Sequence, residues 1–192
     1  MNSDIMNTFE DMGLSPELLK GIYGMGFEHP SECQKKIFVP MALDRKDCIL
    51  QSQSGTGKTA CLAISSLHVH NRLGRNPTSV GTIILSPTRE IAQQTANTFR
   101  KLCTFYEKPL LIHVSVGGVR INKKECHYAD ILSATPGRLR HLIHGKFINV
   151  TDTHTFIVDE CDEVFSNHSF TEDIKNIFKY IGKNTQVCMF SA

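Results

Sequence analysis

The sequence predicts a doubly wound α/β domain, in which a mostly parallel sheet carries helices on both faces. Two observations support this fold class: short, wholly apolar segments alternate with amphipathic ones along the chain, and loop-forming residues separate them. Wholly apolar strands are typical of a parallel sheet that is covered on both sides. Right-handed crossovers then place the connecting helices on both faces. A length of 192 residues with 41% hydrophobic content suits one domain with its own core.

Two helices precede the first predicted strand. Ser15 followed by Pro16 is typical of a helix start, because serine caps the free N–H groups and proline is tolerated in the first turn. Ser31 opens a second helix in the same way. The apolar segment 47–50 is the first predicted strand, and a glycine-rich loop then leads into a helix predicted from residue 58 to about residue 71.

The same alternation continues to the end of the chain. Each remaining predicted strand is apolar, and the segments between the strands carry helical periodicity. Strands are predicted at residues 80–85, 110–116, 130–132, 155–158 and 186–190, and helices at residues 89–106, from 136 onward, and at 170–181. Because the chain stops directly after an apolar strand, we expect it to be a fragment of a longer protein.

Composition and charge exclude several classes of protein. The net charge is only +2, so contact with nucleic acid would be confined to a local surface. No apolar segment approaches the roughly 20 residues that span a bilayer, and residues 1–8 lack the features of a secretory signal. Seven scattered cysteines without a CxxC pair indicate reduced thiols inside a cell, and the nine histidines form no pattern typical of zinc ligation.

The segment from Ser52 to Thr59 has the sequence and the context of a P-loop, since it follows a strand and opens a helix. Its glycines let backbone N–H groups turn toward phosphate oxygens, and the helix N-terminus adds positive partial charge. Lys58 is expected to reach the β- and γ-phosphates and Thr59 to ligate Mg²⁺. Ser52 stands where the strict pattern has glycine; a chance Gly-Lys-Thr turn is the disfavoured alternative. The remaining predicted nucleotide contacts in this loop are Ser54, Gly55, Thr56 and Gly57.

Asp159 and Glu160 lie at the carboxyl end of an apolar strand, which is the edge of a parallel sheet where ligands bind. Asp159 can hold Mg²⁺ directly or through water, and Glu160 can orient and deprotonate an attacking water. Taken alone, the pair is also compatible with a solvated turn or a helix N-terminus. A GTPase is disfavoured, because residues 122–125 resemble a guanine-binding loop only superficially, and no arginine-rich kinase lid is present.

As a set, these motifs resemble the DEAD-box ATP-dependent RNA helicases over essentially the whole chain and in that family's order. Residues 26–34 resemble the adenine-recognising Q motif, within a motif region of about 8–36, and Phe9 occupies the place of its isolated upstream aromatic. The resemblance implies that Gln34 hydrogen-bonds the adenine edge, that Phe27 stacks on the ring, and that Phe9 belongs to the same nucleotide site. Ordinary core packing is the alternative for both phenylalanines.

Three further segments resemble the family's RNA-contacting motifs. Thr88 and Thr135 lie near predicted helix starts, where hydroxyls and free N–H groups can hold phosphates. Arg89 and Arg138 add charge, although either could instead form a structural ion pair. Contacts of this kind recognise the backbone, so RNA binding is expected to be largely independent of sequence and sensitive to salt. The implied RNA contacts are Pro87, Thr88, Arg89, Gly117, Gly118, Thr135 and Arg138.

The subgroup is indicated less consistently than the family. The acid motif reads Asp159-Glu160-Cys161-Asp162, and together with residues 26–32 it resembles the mRNA-export and splicing helicases. Residues 8–12, 51–60 and 184–187 instead resemble the translation initiation factor 4A type, which we favour. Ser191-Ala192 matches the start of the family's Ser-Ala-Thr motif, and the resemblance implies that Asp162 and Ser191 couple the site to a second domain.

The sequence therefore predicts that residues 1–192 form the RecA-like, ATP-binding half of an RNA helicase that uses ATP and Mg²⁺. The resemblance places a charge-stabilising arginine in a second RecA-like domain, absent here, so the chain alone should bind nucleotide weakly and hydrolyse it slowly. Expected partners are RNA, that second domain and protein cofactors, with no membrane, a monomeric state, and a cytoplasmic or alternatively nuclear location. The rivals are a non-catalytic RNA- or protein-docking module and a DNA helicase.

Overall fold

The computed structural model describes residues 6–53, 55–74, 77–121 and 123–192, with only the main chain at residues 123 and 124. One six-stranded sheet forms its centre, with strand order β1-β6-β5-β2-β4-β3, and every neighbouring pair of strands is parallel. The strands are β1 (Cys48–Gln51), β2 (Thr82–Leu85), β3 (Ile112–Ser115), β4 (Ile131–Ala134), β5 (Thr155–Val158) and β6 (Gln186–Ser191). The predicted fold class is confirmed.

Helices cover both faces of the sheet. They are α1 (Pro16–Gly24), α2 (Glu32–Phe38), α3 (Lys58–Leu73), α4 (Arg89–Leu102), α5 (Lys123–His127), α6 (Pro136–His144), α7 (Cys161–Ser166) and α8 (His168–Phe178). A short 3-10 helix (Glu10–Met12) precedes α1, and a π-helical segment (Val39–Leu43) follows α2. Among the helices that the structure describes, none combines the length and apolar character that crossing a bilayer requires.

Two hydrophobic clusters lie on opposite faces of the sheet, because successive strand residues point to opposite sides. On β5, Ile157 packs into the cluster formed with α1 to α4, whereas Phe156 and Val158 pack into the cluster formed with α6 to α8. Both faces of the central strands are therefore buried, which explains why the sequence of these strands is apolar throughout.

The helix starts behave as their sequences predict. The Ser15 hydroxyl accepts from the Leu18 N–H at 3.3 Å. Ser31 and Gln34 form a reciprocal capping box: the Ser31 hydroxyl accepts from the Gln34 N–H at 3.3 Å, and the Gln34 amide oxygen accepts from the Ser31 N–H at 2.8 Å. The amide oxygen of Gln34, a predicted adenine-binding residue, is therefore already used in capping α2.

Several predicted boundaries were wrong. Helix α4 ends at Leu102 and not at the predicted residue 106, because the backbone of Cys103 is no longer helical and the chain turns toward β3. The predicted helix over residues 170–181 begins at His168 and ends at Phe178. The structure also contains α5 and α7, which were not predicted. Both are short, so neither shows enough turns for an apolar periodicity to be recognised.

Candidate functional site

The predicted phosphate loop and the predicted acid pair meet at one edge of the sheet. Because all six strands are parallel, their carboxyl ends share that edge, and only β6 separates β1 from β5. The loop leaves β1 at Ser52, and Asp159 directly follows β5. The Lys58 ammonium lies 4.0 Å from the Glu160 carboxylate. The two segments are therefore close enough to hold one ligand between them.

Two glycines with left-handed backbone conformations shape the phosphate loop. Gly55 has φ +82° and Gly57 has φ +89°, which side chains rarely tolerate. Gly57 caps α3, so the free N–H groups of this helix face the loop. The Thr56 hydroxyl lies 2.7 Å from the Ser52 hydroxyl and donates to the Gln53 carbonyl at 2.8 Å. Ser54, a predicted nucleotide contact, lies outside the described residues.

Lys58 is almost completely buried, with 6% of its surface exposed. Its ammonium donates to the Ser52 carbonyl at 2.9 Å and to the Ser191 carbonyl at 3.1 Å. These bonds hold a full positive charge beneath the phosphate loop in a place that water hardly reaches. A cation in that position attracts phosphate oxygens more strongly than an exposed lysine would.

Asp159 is buried to 2% exposure, and this burial raises the pKa of its carboxyl from 3.8 to about 6. The negative charge of Glu160 raises the pKa further, while hydrogen bonds from the Glu160 N–H and the Thr95 side chain and the charge of Lys58 lower it. Glu160 has φ 47° and ψ 54°, a left-handed conformation at the start of α7. Such strain is unusual for a residue with a side chain and is typical of functional sites.

The residues present fit a magnesium ion that takes most of its ligands from elsewhere. Asp159 offers a buried carboxylate, and Thr59, a residue with a hydroxyl, is among those that line the same cleft. Within the described ranges no group of three or more histidine, cysteine, aspartate or glutamate side chains could hold a metal. Magnesium commonly binds through one or two protein oxygens, with phosphates and waters completing an octahedron.

A cleft of about 500 Å³ connects the phosphate loop and the acids with the predicted adenine-binding region. Phe27 and Met25 line its far end. Gln34 is 5% exposed, and its amide nitrogen lies 3.4 Å from the position that a Cβ on Gly57 would occupy. The Ser31 hydroxyl, meanwhile, donates to the Thr56 carbonyl at 3.2 Å. The start of α2 thus braces the phosphate loop, while Gln34 lies behind the loop rather than in the lining of the cleft.

Phe9 does not line this cleft, so the prediction that it contacts the nucleotide was wrong. Its side chain has no exposed surface and packs in the core of the α1 to α4 side. Its ring meets that of Tyr23 edge to face, with centroids 6.2 Å apart. The core-packing alternative accounts for Phe9, because a ring without accessible surface cannot touch a ligand in this conformation.

One wall of the cleft was not predicted. It is a stripe of α4 whose members recur at helical spacing and therefore share one face: Ile91, Gln94, Thr95 and Thr98. Helical periodicity in the sequence predicts that these four residues share a face. The sequence does not show which edge of the sheet the face approaches, since that depends on the packing of α4 against α3.

The segments predicted to contact RNA lie on the other half of the same sheet edge, after β2, β3 and β4. Pro87 is buried and Thr88 caps α4, its hydroxyl accepting from the Ile91 N–H at 3.2 Å. Thr135 caps α6 without a side-chain cap bond. Its hydroxyl, in contrast to that of Thr88, has no role in capping its helix.

Arginines and glycines complete this second half. The Arg89 guanidinium packs over Gly117 and Gly118, close enough that a Cβ on Gly118 would lie 3.0 Å from it. Gly118 has φ +81°, so glycine suits this position sterically and conformationally. Arg138 donates to the Val119 carbonyl at 2.9 Å. All seven predicted RNA contacts thus gather in one neighbourhood, where exposed cations and helix N-termini can meet phosphates.

The residues predicted to couple the site to a second domain touch each other. The Ser191 hydroxyl donates to the Asp162 carboxylate at 2.8 Å, and this bond lowers the pKa of Asp162. The Ser191 carbonyl also accepts from Lys58. Ser191 therefore contacts both the buried lysine of the phosphate loop and an exposed acid on α7.

Comparison with known proteins agrees with this geometry. A family model described as "DEAD/DEAH box helicase" matches residues 31–192. Proteins named ATP-dependent RNA helicase eIF4A are 35% identical in Debaryomyces hansenii and 37% identical in Aspergillus clavatus, each over 98% of this chain. The alignments cover 47% and 46% of those proteins, so the chain spans about half the length of the curated relatives it matches.

Solved structures show the same similarity. Dbp5 of S. cerevisiae bound to RNA and ADP BeF3 superimposes with a TM-score of 0.86 and 31% identity, over 97% of this chain and 46% of that one. A DEAD box protein from the hyperthermophile Methanococcus jannaschii gives a TM-score of 0.85 and 31% identity, over 97% and 50% of the two chains.

Proposed function

The chain belongs to the DEAD/DEAH box helicase family, and from this premise we propose that it is the ATP-binding half of an ATP-dependent RNA helicase. The observation that carries the proposal is the convergence of Lys58, Asp159 and Glu160 in one cleft, with the lysine and the aspartate both buried. Burying Lys58 and Asp159 in one cleft is costly unless a ligand compensates, and a metal-bound triphosphate would do so.

The proposed chemistry is transfer of the γ-phosphoryl group of ATP to water. Lys58 stabilises negative charge on the transferring group, and the phosphate loop orients it through backbone N–H groups. Glu160 orients the water and accepts its proton as the oxygen attacks phosphorus and the bond to the bridging oxygen breaks, releasing ADP. Magnesium, when held at Thr59 and Asp159, would neutralise charge on the phosphate oxygens.

Substrate choice follows from the two ends of the site. Phe27 and Gln34 are proposed to select adenine at one end of the cleft, through stacking and an amide hydrogen bond. The residues around Arg89 and Gly118 are proposed to hold the phosphate backbone of single-stranded RNA. The similar structure of Dbp5 bound to RNA and ADP BeF3 supports both assignments, since that protein shares this fold.

The names of the relatives and the acid motif bear on the pathway in which the protein acts. We favour translation initiation, because the relatives from Debaryomyces hansenii and Aspergillus clavatus are named eIF4A. An mRNA-export or splicing role is the alternative, supported by Cys161 in the acid motif and by the similarity to Dbp5. A second RecA-like domain outside this chain would bring an arginine to the γ-phosphate, and Asp162 and Ser191 would transmit its approach. A cytoplasmic location accords with the initiation role.

Steady-state ATP hydrolysis by the full-length protein tests the proposal. RNA should stimulate hydrolysis, DNA should stimulate it less, and Lys58→Ala should abolish the stimulated rate, whereas Lys183→Ala, an exposed lysine on a turn, should retain it. The present chain alone should hydrolyse ATP slowly. If Lys58→Ala leaves the protein's RNA-dependent function intact, the non-catalytic docking module replaces the helicase. Strong RNA-stimulated turnover by this chain alone would remove the need for a second domain.

A further inference from the structure

Two cysteines face each other across the strands that lead into the phosphate site. Cys48 of β1 and Cys188 of β6 are register partners, and their Sγ atoms are 3.3 Å apart. Hydrogen-bonded strands hold paired Cα atoms about 4.8 Å apart, within the roughly 4.4–6.8 Å that a disulfide spans. Bringing the sulfurs to bonding distance requires a closure of about 1 Å, which small changes of side-chain torsion can supply.

We propose that Cys48 and Cys188 form a modification site, a dithiol that a small peroxide converts reversibly into an intramolecular disulfide. The proposal rests on this register and contact alone, and it is independent of ATP hydrolysis. A second pair of cysteines lies nearby: the Cys61 thiol approaches the backbone carbonyl of Cys33 at 3.8 Å, and a hydrogen bond between the two side chains lowers the pKa of Cys33 to about 6. These two cysteines belong to α2 and α3, so no strand pairing sets the distance between them.

The two thiols differ in ways that give each a separate part in the reaction. Cys48 is partly exposed, whereas Cys188 has no accessible surface. The pKa of Cys48 is lowered, chiefly by the hydrogen bond that it shares with the Cys188 side chain, although burial and the charge of Asp47 act in the opposite direction. The pKa of Cys188 is raised by the same hydrogen bond and by burial. Cys48 is thus the thiol that meets the oxidant, and Cys188 resolves the product.

The chemistry balances in two steps. The Cys48 thiolate attacks one oxygen of hydrogen peroxide, the O–O bond breaks, and the other oxygen leaves as water after taking a proton, which gives a sulfenic acid. The Cys188 sulfur then attacks the Cys48 sulfur and displaces the sulfenic oxygen as a second water. Two thiols lose two electrons and two protons, and one peroxide is reduced to two waters. A dithiol reductant reverses the change.

The new bond would tie together the strands that hold Lys58. β1 continues into Ser52 and β6 ends at Ser191, whose carbonyl accepts from the Ser52 N–H at 3.2 Å. Lys58 donates to the carbonyls of both residues. The bond would also join positions 140 residues apart in sequence, which restricts the unfolded chain strongly. The oxidised protein should therefore resist unfolding more than the reduced protein.

Oxidation of the chain with limiting hydrogen peroxide, followed by mass spectrometry and peptide mapping without reduction, tests the proposal. The expected product is monomeric, about 2 Da lighter, and contains a peptide linking Cys48 to Cys188. Dithiothreitol should restore the original mass. Cys48→Ser and Cys188→Ser should each lose the linked peptide. Cys33→Ser and Cys103→Ser, which leave the pair intact, should retain it.

A second measurement keeps the proposal open to refutation should either serine variant fold poorly. In the wild-type chain, the oxidised form should unfold at a higher urea concentration than the reduced form, and dithiothreitol should abolish the difference. The proposal is overturned if the main product links other cysteines or two chains, or stops at sulfinic acid on Cys48. An oxidised chain that unfolds at the same or lower urea concentration would overturn the claim that the bond suits the β1–β6 spacing.

Discussion

The two halves of the sheet edge are built in different ways. On the half formed by β1, β6 and β5, two charged groups are buried: Lys58 is 6% and Asp159 is 2% exposed. On the half formed by β2, β4 and β3, the cations are at the surface, as Arg89 is exposed and Arg138 is partly exposed. Buried charges interact strongly with a ligand and with each other, whereas exposed charges are screened by water and salt.

In the proposed function, the two halves bind phosphate in different ways. The first half prepares a few groups in advance and loses stability by doing so, because each buried charge gives up hydration. The second half spreads its contacts over helix starts, glycines and exposed arginines, each of which contributes little. Single changes on the first half should therefore have large effects, while changes on the second half should be modest and depend on salt.

The largest effect is expected from Glu160→Gln in the full-length protein. Removing the proton acceptor for the attacking water should lower kcat of RNA-stimulated ATP hydrolysis by about 10²–10³-fold, while ATP affinity changes little. Steady-state kinetics together with nucleotide titration measure both quantities. Glu163→Gln, an exposed acid on α7, is the matched control. A retained kcat in Glu160→Gln would remove this residue from the proposed chemistry.

Asp159→Asn should stabilise the chain while damaging the site. The pKa of Asp159 is 3.8 in an ordinary environment and about 6 in the fold, so the folded state binds more protons between these values. The stability contributed by this carboxyl is present below about pH 4 and is lost as pH rises through 6. At pH 7 the substitution should raise the free energy of unfolding by about 1–3 kcal/mol.

Urea unfolding at pH 4 and pH 7 checks this expectation, and the gain should disappear at the lower pH. Asp162→Asn serves as the control, because the Ser191 hydroxyl lowers rather than raises the pKa of that exposed acid. Its replacement should give no stabilisation at pH 7. A destabilised Asp159→Asn chain, or an increase in the free energy of unfolding that does not vary with pH, would show that burial does not raise the pKa of this carboxyl.

Much of the fold and of the nucleotide site could be predicted from the sequence, because motif and context coincide. Glycines, a lysine and a threonine between a strand and a helix predict the phosphate loop, and parallel strands necessarily bring Asp159 to the same edge. The fold class followed from apolar strands. Patterns of this kind involve residues that are close together in the chain, so they can be recognised without a structure.

What could not be predicted depends on packing between distant segments. The α4 stripe that lines the cleft is visible as a helical face, but only the tertiary structure directs it toward Asp159. Phe9 carries the spacing of a ligand-binding aromatic, yet the α1 to α4 core takes it in completely. The contact between Cys48 and Cys188 depends on strand register, which no local motif encodes.

On the second half, Gly118→Ala should cost stability locally. A side chain at φ +81° costs about 1–2 kcal/mol, and its Cβ would crowd the Arg89 guanidinium at 3.0 Å. We expect a lower free energy of unfolding in urea and weaker RNA binding. Gly117→Ala should lose less stability, because Gly117 does not have a left-handed backbone conformation. Equal losses for the two variants would mean that backbone conformation does not determine this turn.

The smallest effect is expected from Arg89→Ala. Loss of one exposed phosphate contact should weaken RNA binding by several-fold at moderate salt and reduce the slope of log affinity against log salt by about 1. Fluorescence anisotropy with single-stranded RNA at several salt concentrations gives both values. Lys101→Ala, at the far end of the same helix, is the control. A changed affinity with an unchanged salt slope would contradict direct contact between Arg89 and phosphate.

The central claim is that the phosphate loop and the acid pair act as one metal-dependent nucleotide site. Titration of this chain with a fluorescent ATP analogue, with magnesium and then with excess chelator, tests it most directly. The account predicts that magnesium tightens binding by at least about tenfold, that Asp159→Asn loses this dependence, and that Lys58→Ala loses binding under both conditions. Equal affinities with and without magnesium, unchanged by Asp159→Asn, would contradict it.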